Sequence, residues 1–216
     1  MILSRGRNFV FVHIPKTGGT ALAQALEARA MAGDEMLGDT PKAKKRRRRL
    51  QGVSTRGRLW KHSTLSDIEG LATRAELRQM FAFTLVRNPW DRAVSLYHWL
   101  QDQRFDHPMV PLAQAHPFGD FITAPVVRRA FADTPAPAYM RQSDGQEHCS
   151  LYIRLEHFTE DAEPLFDHLG FRLELPRVNM SERQRDWRPY YDAAAEAAVR
   201  QCCAVEIERF EYSFNE

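Results

Sequence analysis

FVFVHIPKTGGTALAQAL, residues 9–26, decides how this 216-residue chain folds. Phe9, Val10, Phe11, Val12 and Ile14 form a short β-prone run, the pattern of a buried strand. Gly18 and Gly19 then permit a tight turn and a close backbone approach to a ligand. Ala21, Leu22, Ala25 and Leu26 repeat at helical spacing. A loop that opens a helix presents unpaired N–H groups and the positive end of the helix dipole, and both favour a bound anion. The triphosphate-binding pattern G-x-x-x-x-G-K-[ST] is not matched, because Lys16 precedes the glycines. On these residues alone, a structural turn with a surface lysine remains an open alternative.

A second apolar run, residues 81–86, suits a buried parallel strand and leads into Arg87-Asn88-Pro89-Trp90-Asp91-Arg92-Ala93-Val94-Ser95. The spacing predicts a helix over 89–101, with Pro89 tolerated in its first turn. Arg87 would leave the carboxyl end of the strand, where open α/β sheets bind ligands, and a guanidinium suits bidentate phosphate binding. Ser95 follows about two helical turns later. An Arg87–Asp91 ion pair with Ser95 as a packing residue accounts for the same pattern. Two strand–turn–helix anion sites would serve a ligand with two separated anionic groups.

The remaining pattern predicts a helix over 18–30 and a long polar loop over 31–58. Helices follow over 65–80 (broken near Gly70), near 117–123 and 125–132 within an irregular 105–146, and over 160–169, ending at Gly170. A third strand is expected over 151–155, a polar connection over 171–188 and a long helix over 189–209. Strands alternating with helices predict an α/β fold: a single domain, residues 1–216, with a parallel sheet flanked by helices.

Composition is that of an ordinary water-soluble protein, 44% hydrophobic and 27% charged. No apolar run reaches the length of a membrane span and no signal-peptide pattern opens the chain, so a cytoplasmic location is expected. Cys149, Cys202 and Cys203 form no C-x-x-C pair, and the eight histidines lack metal-ligand spacing; no metal is expected. The net charge of +2 conceals an asymmetry. Residues 42–61 hold ten Lys and Arg and no acid, leaving 20 basic and 28 acidic residues elsewhere. Without a nucleic-acid motif beside it, this run reads first as a solvated loop, next as a surface for an anionic substrate or lipid headgroup, and last as a nucleic-acid contact.

Pro15-Lys16-Thr17-Gly18-Gly19-Thr20 resembles the 5′-phosphosulfate-binding loop of sulfotransferases, and Arg87-Asn88-Pro89-x-Asp91-x-x-x-Ser95 resembles their 3′-phosphate segment. The wording is most similar to carbohydrate sulfotransferases of the heparan 2-O-sulfotransferase type and their bacterial relatives. Leu155-Glu156-His157-Phe158 and the closing segment from Glu206 to Phe214 are similar to later family segments. The resemblance implies a fold related to nucleotide kinases and a donor, 3′-phosphoadenosine 5′-phosphosulfate (PAPS), held by Lys16, Thr17, Gly18, Gly19, Thr20, Arg87 and Ser95. It also implies a hydroxyl-bearing acceptor, a glycan or glycolipid. The alternatives are a kinase-type phosphotransferase and a non-catalytic nucleotide- or polyanion-binding protein.

Sulfuryl transfer needs in-line positioning, a cation at the leaving oxygen and a base for the acceptor hydroxyl. Lys16 is the expected cation. His62 is the only histidine between the two loops, and the resemblance implies a base in that interval, so it is the expected base. His13 is expected in the sheet and His98 in helix packing, while Asp67 and Glu69 stand as reserve bases.

Overall fold

The computed structural model describes residues 1–176, 184 and 186–215. Two compact units divide the chain: Met1–Val86 with Ala136–Val178, and Arg87–Pro135 with Asn179–Glu216.

The first unit is built on a five-stranded sheet of order β3-β1-β2-β4-β5. Its strands are β1 (Ile2–Ser4), β2 (Phe9–Val12), β3 (Glu35–Met36), β4 (Phe81–Val86) and β5 (Leu151–Arg154). The three apolar runs visible in the sequence are the parallel set: Val12 pairs with Thr84, and Leu85 with Ile153. The short strands β1 and β3 add to it antiparallel, so the sheet as a whole is mixed. Both faces are covered, which is why these strands read as continuous apolar runs rather than alternating ones. Phe9, Phe11, Phe83, Leu85 and Ile153 pack with Leu22, Leu26 and Leu165 on one side. Val10, Val12 and Ala82 pack with Leu65, Ile68 and Leu77 on the other.

Helix α1 spans Gly19–Ala28, within the expected 18–30. The expected loop over 31–58 is corrected: it contains β3, helix α2 (Pro41–Arg46) and a 3-10 turn, Arg47–Leu50. Thr40 caps α2 by accepting from the Ala43 N–H, and Pro41 occupies its first turn, a local start signal strong enough to order a cationic segment. The helix expected over 65–80 shrinks to α3 (Arg74–Gln79), which begins at a capping box of Thr73 and Glu76. The helix expected over 160–169 is two short ones, Phe158–Asp161 and Glu163–Leu169, the second ending at Gly170 with φ 75°.

In the second unit, helix α4 runs Pro89–Gln101 as expected. Around it lie Met109–Ala115, Phe118–Thr123, Pro125–Asp133, Ala193–Cys202 and Ala204–Phe210. The helix expected over 189–209 is thus interrupted at Cys203, which is buried. Trp90 is fully buried and its indole N–H donates to the Glu196 carbonyl at 3.3 Å. The polar connection expected over 171–188 lies partly outside the described residues.

Candidate functional site

β2 delivers the chain to His13 and Ile14, and Pro15–Thr20 turns it into α1. Gly18 is the N-cap residue of α1 and lies in the left-handed region at φ 85°. A Cβ there would sit 2.7 Å from a Leu155 methyl, and one at Gly19 would sit 2.1 Å from the His13 ring. Gly19 is therefore required by close approach to a buried ring, and Gly18 by its left-handed backbone, since the Leu155 methyl is the end of a flexible side chain. Ala21 donates to the Gly18 carbonyl at 3.0 Å, so helix geometry leaves the N–H groups of Gly18, Gly19 and Thr20 without intrahelical acceptors. No acid occupies the first turn of α1 to neutralise its dipole. Lys16 is half-buried at φ 65°, a left-handed conformation that costs a non-glycine residue about 1–2 kcal/mol.

Thr17 departs from a simple ligand role. It is buried, and its hydroxyl donates to the Ile14 carbonyl at 2.9 Å. That proton is committed, so Thr17 clamps the loop and has only its backbone N–H to offer an anion.

His62 reaches the same segment from the other covering layer. Its Nδ1 lies 2.7 Å from the His13 carbonyl oxygen, and the two rings meet edge to face at 4.7 Å. A carbonyl only accepts, so Nδ1 carries the proton and Nε2 the lone pair. Burial drives the His62 pKa down to about 4, against the pull of the carbonyl bond, which favours the charged ring. His13 is more deeply buried and is held well below the usual histidine range by that burial. The reserve carboxylates have structural partners: Asp67 accepts from the Thr64 N–H at 2.8 Å, and Glu69 accepts from the N–H and hydroxyl of Ser143 at 2.7 and 2.5 Å.

The second unit holds the other predicted residues. Asn88 caps α4, accepting from the Trp90 N–H at 3.1 Å, and its amide donates to the Ser213 carbonyl at 3.0 Å. Arg87 donates through Nε and Nη2 to the same Asp91 oxygen, at 2.8 and 2.6 Å. The ion pair weighed against a phosphate role is therefore made, and it orients one edge of the guanidinium. Asp91 and Ser95 are four residues apart on α4 and share a face; Arg87 precedes the N-cap and reaches that face through its bonds to Asp91. Ser95 is buried. His98 packs between Tyr97 and Tyr190, at 5.4 and 5.2 Å, as expected for a packing residue.

Among the described residues, no cluster of His, Cys, Asp and Glu is placed to hold a metal, and no helix is long and apolar enough to cross a membrane.

A family model described as "Sulfotransferase family" matches residues 1–212. Among solved structures, mouse sulfotransferase SULT7A1 complexed with PAP matches with a TM-score of 0.55 at 17% identity, covering 98% of this chain and 87% of that one. No curated relative matches the chain.

Proposed function

The chain belongs to the sulfotransferase family, and from that premise we propose that it moves the sulfuryl group of PAPS to a hydroxyl of a carbohydrate or other alcohol. In this reading the bond between sulfur and the bridging phosphate oxygen breaks as the acceptor oxygen bonds to sulfur in line. Adenosine 3′,5′-bisphosphate leaves, and the acceptor proton passes to Nε2 of His62. Lys16 and the N–H groups of Gly18, Gly19 and Thr20 take the 5′-phosphosulfate. Lys16 stabilises charge on the departing oxygen. Arg87, oriented by Asp91, and Ser95 take the 3′-phosphate.

The observation that carries this reading is the tautomer of His62. Its Nδ1 proton is committed to the His13 carbonyl, which leaves a neutral Nε2 lone pair at a histidine docked against the strand that feeds the Lys16 loop. A base with a pKa near 4 is unprotonated throughout the neutral range. It takes the acceptor proton only once bonding to sulfur has acidified it. The likeness to a structure holding PAP supports the donor assignment.

Calorimetric titration with adenosine 3′,5′-bisphosphate and with ATP tests the donor class, and turnover of sulfur-labelled PAPS on a saccharide panel tests transfer. Tighter binding of the bisphosphate together with labelled product is expected. Preferential ATP binding would turn the reading to phosphotransfer.

A further inference from the structure

The basic segment has more than one side. Lys42 donates to the Glu27 carbonyl, Arg46 to the Asp34 carbonyl at 2.9 Å and Arg49 to the Ala32 carbonyl at 2.5 Å. These three cations, spaced by four and three residues, tie α2 and the following 3-10 turn to the scaffold. Lys44, Lys45 and Arg48 share another side, with Arg48 four residues after Lys44 and three after Lys45. They are exposed, as is Arg47, and none of the four makes an ion pair among the described residues. The anchored cations hold the outward ones in a fixed array, so a partner meets them without the cost of ordering a loop.

Neighbouring acids do not cancel this array. Residues 42–61 contain none. Of the acids that precede them, Glu27 and Asp34 are buried, Glu35 pairs with Arg5 at 2.8 Å and Asp39 pairs with Lys61 at 2.7 Å. The bond from Lys61, joined by the charges of Lys44 and Arg47, holds the Asp39 carboxyl below its usual range. Beside the array stands an indole: Arg47, Arg58 and Trp60 line one recess of about 240 Å³ in the first unit. Trp60 is 43% exposed although it is large and apolar, and the Arg58 guanidinium lies 5.8 Å from its ring centroid.

We propose that Lys44, Lys45, Arg47 and Arg48, with the indole of Trp60, form a docking surface for an anionic lipid bilayer. An array of Lys and Arg is drawn to anionic headgroups, each cation strengthening the attachment about fivefold. An indole belongs at the same depth, with its apolar body towards the acyl chains and its N–H in the wet headgroup layer. That pairing favours a bilayer over nucleic acid, which would use several aromatic rings as stacking platforms; Trp60 is the only aromatic residue of 42–61. The surface goes beyond sulfuryl transfer and does not depend on it. Because the Trp60 ring meets the His62 ring edge to face at 5.0 Å, a docked chain carries that histidine near the bilayer whatever its chemistry.

Sedimentation of the full chain with vesicles tests it, using phosphatidylcholine alone and an equimolar mixture with phosphatidylglycerol. Binding to the mixture and not to phosphatidylcholine is expected, with release as salt rises, since the attraction is screened. Lys44→Ser with Lys45→Ser and Arg48→Ser should weaken binding roughly a hundredfold, from the factor of about five for each cation. Brominated acyl chains in the mixture should quench indole emission. Trp60→Phe should abolish that quenching, and substituting the other exposed tryptophan, Trp99→Phe, should keep it. The substituted side chains are exposed, so these variants should fold, and an unchanged thermal midpoint checks it. Equal binding to both vesicles, binding to neither, binding that survives the triple substitution, or quenching that persists in Trp60→Phe overturns the surface. Tighter capture of a thymidine oligonucleotide than of the mixed vesicles, lost in the triple variant, overturns it too and assigns the array to nucleic acid.

Discussion

Nδ1 of His62 stands 2.7 Å from the carbonyl oxygen of His13, so the backbone of one histidine sets the tautomer of the other. Asparagine can place an amide N–H where Nδ1 stands but has no atom at Nε2. His62→Asn should therefore keep the bond to His13 and lose the base. Turnover should fall roughly 10²–10⁴-fold, with donor affinity within about twofold of wild type. Single-turnover kinetics beside calorimetry measure both. Full activity in this variant would move the base to another residue.

One buried and one half-buried neutral histidine, His13 and His62, make the first unit sensitive to acid. The folded pKa of His62 is lowered to about 4, and that of His13 is lowered as well, against about 6.5 for an unfolded chain. In such a window the unfolded state binds more protons, so stability rises with pH. The neutral rings' contribution is full above about pH 6.5 and is lost as pH falls towards 4, on the order of 3 kcal/mol for His62. Urea unfolding at pH 7 and pH 4.5 should show the loss, and His62→Asn should reduce it. A difference between the two pH values that is the same in the variant would remove His62 from the account.

Lys16 combines a charge with a strained backbone at φ 65°. Lys16→Ala keeps the strain and Lys16→Gly relieves it, so the glycine variant should be more stable by about 1 kcal/mol. Turnover should fall strongly in both, and donor affinity less, because the charge matters most as the leaving oxygen develops. Equal stability of the two variants would mean that the loop relaxes when the lysine is removed.

At Gly19 a methyl group would meet the His13 ring at 2.1 Å, and that ring is itself buried. Gly19→Ala should cost about 1–3 kcal/mol, as overpacking of a tight interior does, and weaken the bisphosphate at least tenfold. A thermal scan with nucleotide titration decides it; a stable variant with normal affinity would contradict the close approach.

Arg87→Ala and Ser95→Ala should weaken adenosine 3′,5′-bisphosphate more than adenosine 5′-phosphate. Losing a charged hydrogen bond costs about 1.5–3 kcal/mol, so the Arg87 effect should exceed tenfold. Asp91→Asn should have the same selectivity with a smaller effect, since Asp91 holds the guanidinium through Nε and Nη2. Equal weakening of the two nucleotides would detach these residues from the 3′-phosphate.

The sequence by itself determined the parallel heart of the sheet, because β2, β4 and β5 are buried on both faces and so read as unbroken apolar runs. It determined α1 and α4 for a local reason as well: Gly18-Gly19 and Asn88-Pro89 are start signals carried within a few residues. Strands β1 and β3, of three and two residues, are too short to show any period; β1 exists because the edge of β2 is there to pair with, and β3 because β1 then offers its own edge. Tertiary structure likewise decided the basic run. Self-repulsion reads as an irregular loop, but carbonyls of Glu27, Ala32 and Asp34, supplied from outside the run, accept from three of its cations and leave Arg47 at the recess. His62 could be singled out from its place between two loops, yet its tautomer could not. Which nitrogen keeps the proton depends on a carbonyl 49 residues away in sequence, and no local pattern encodes that distance.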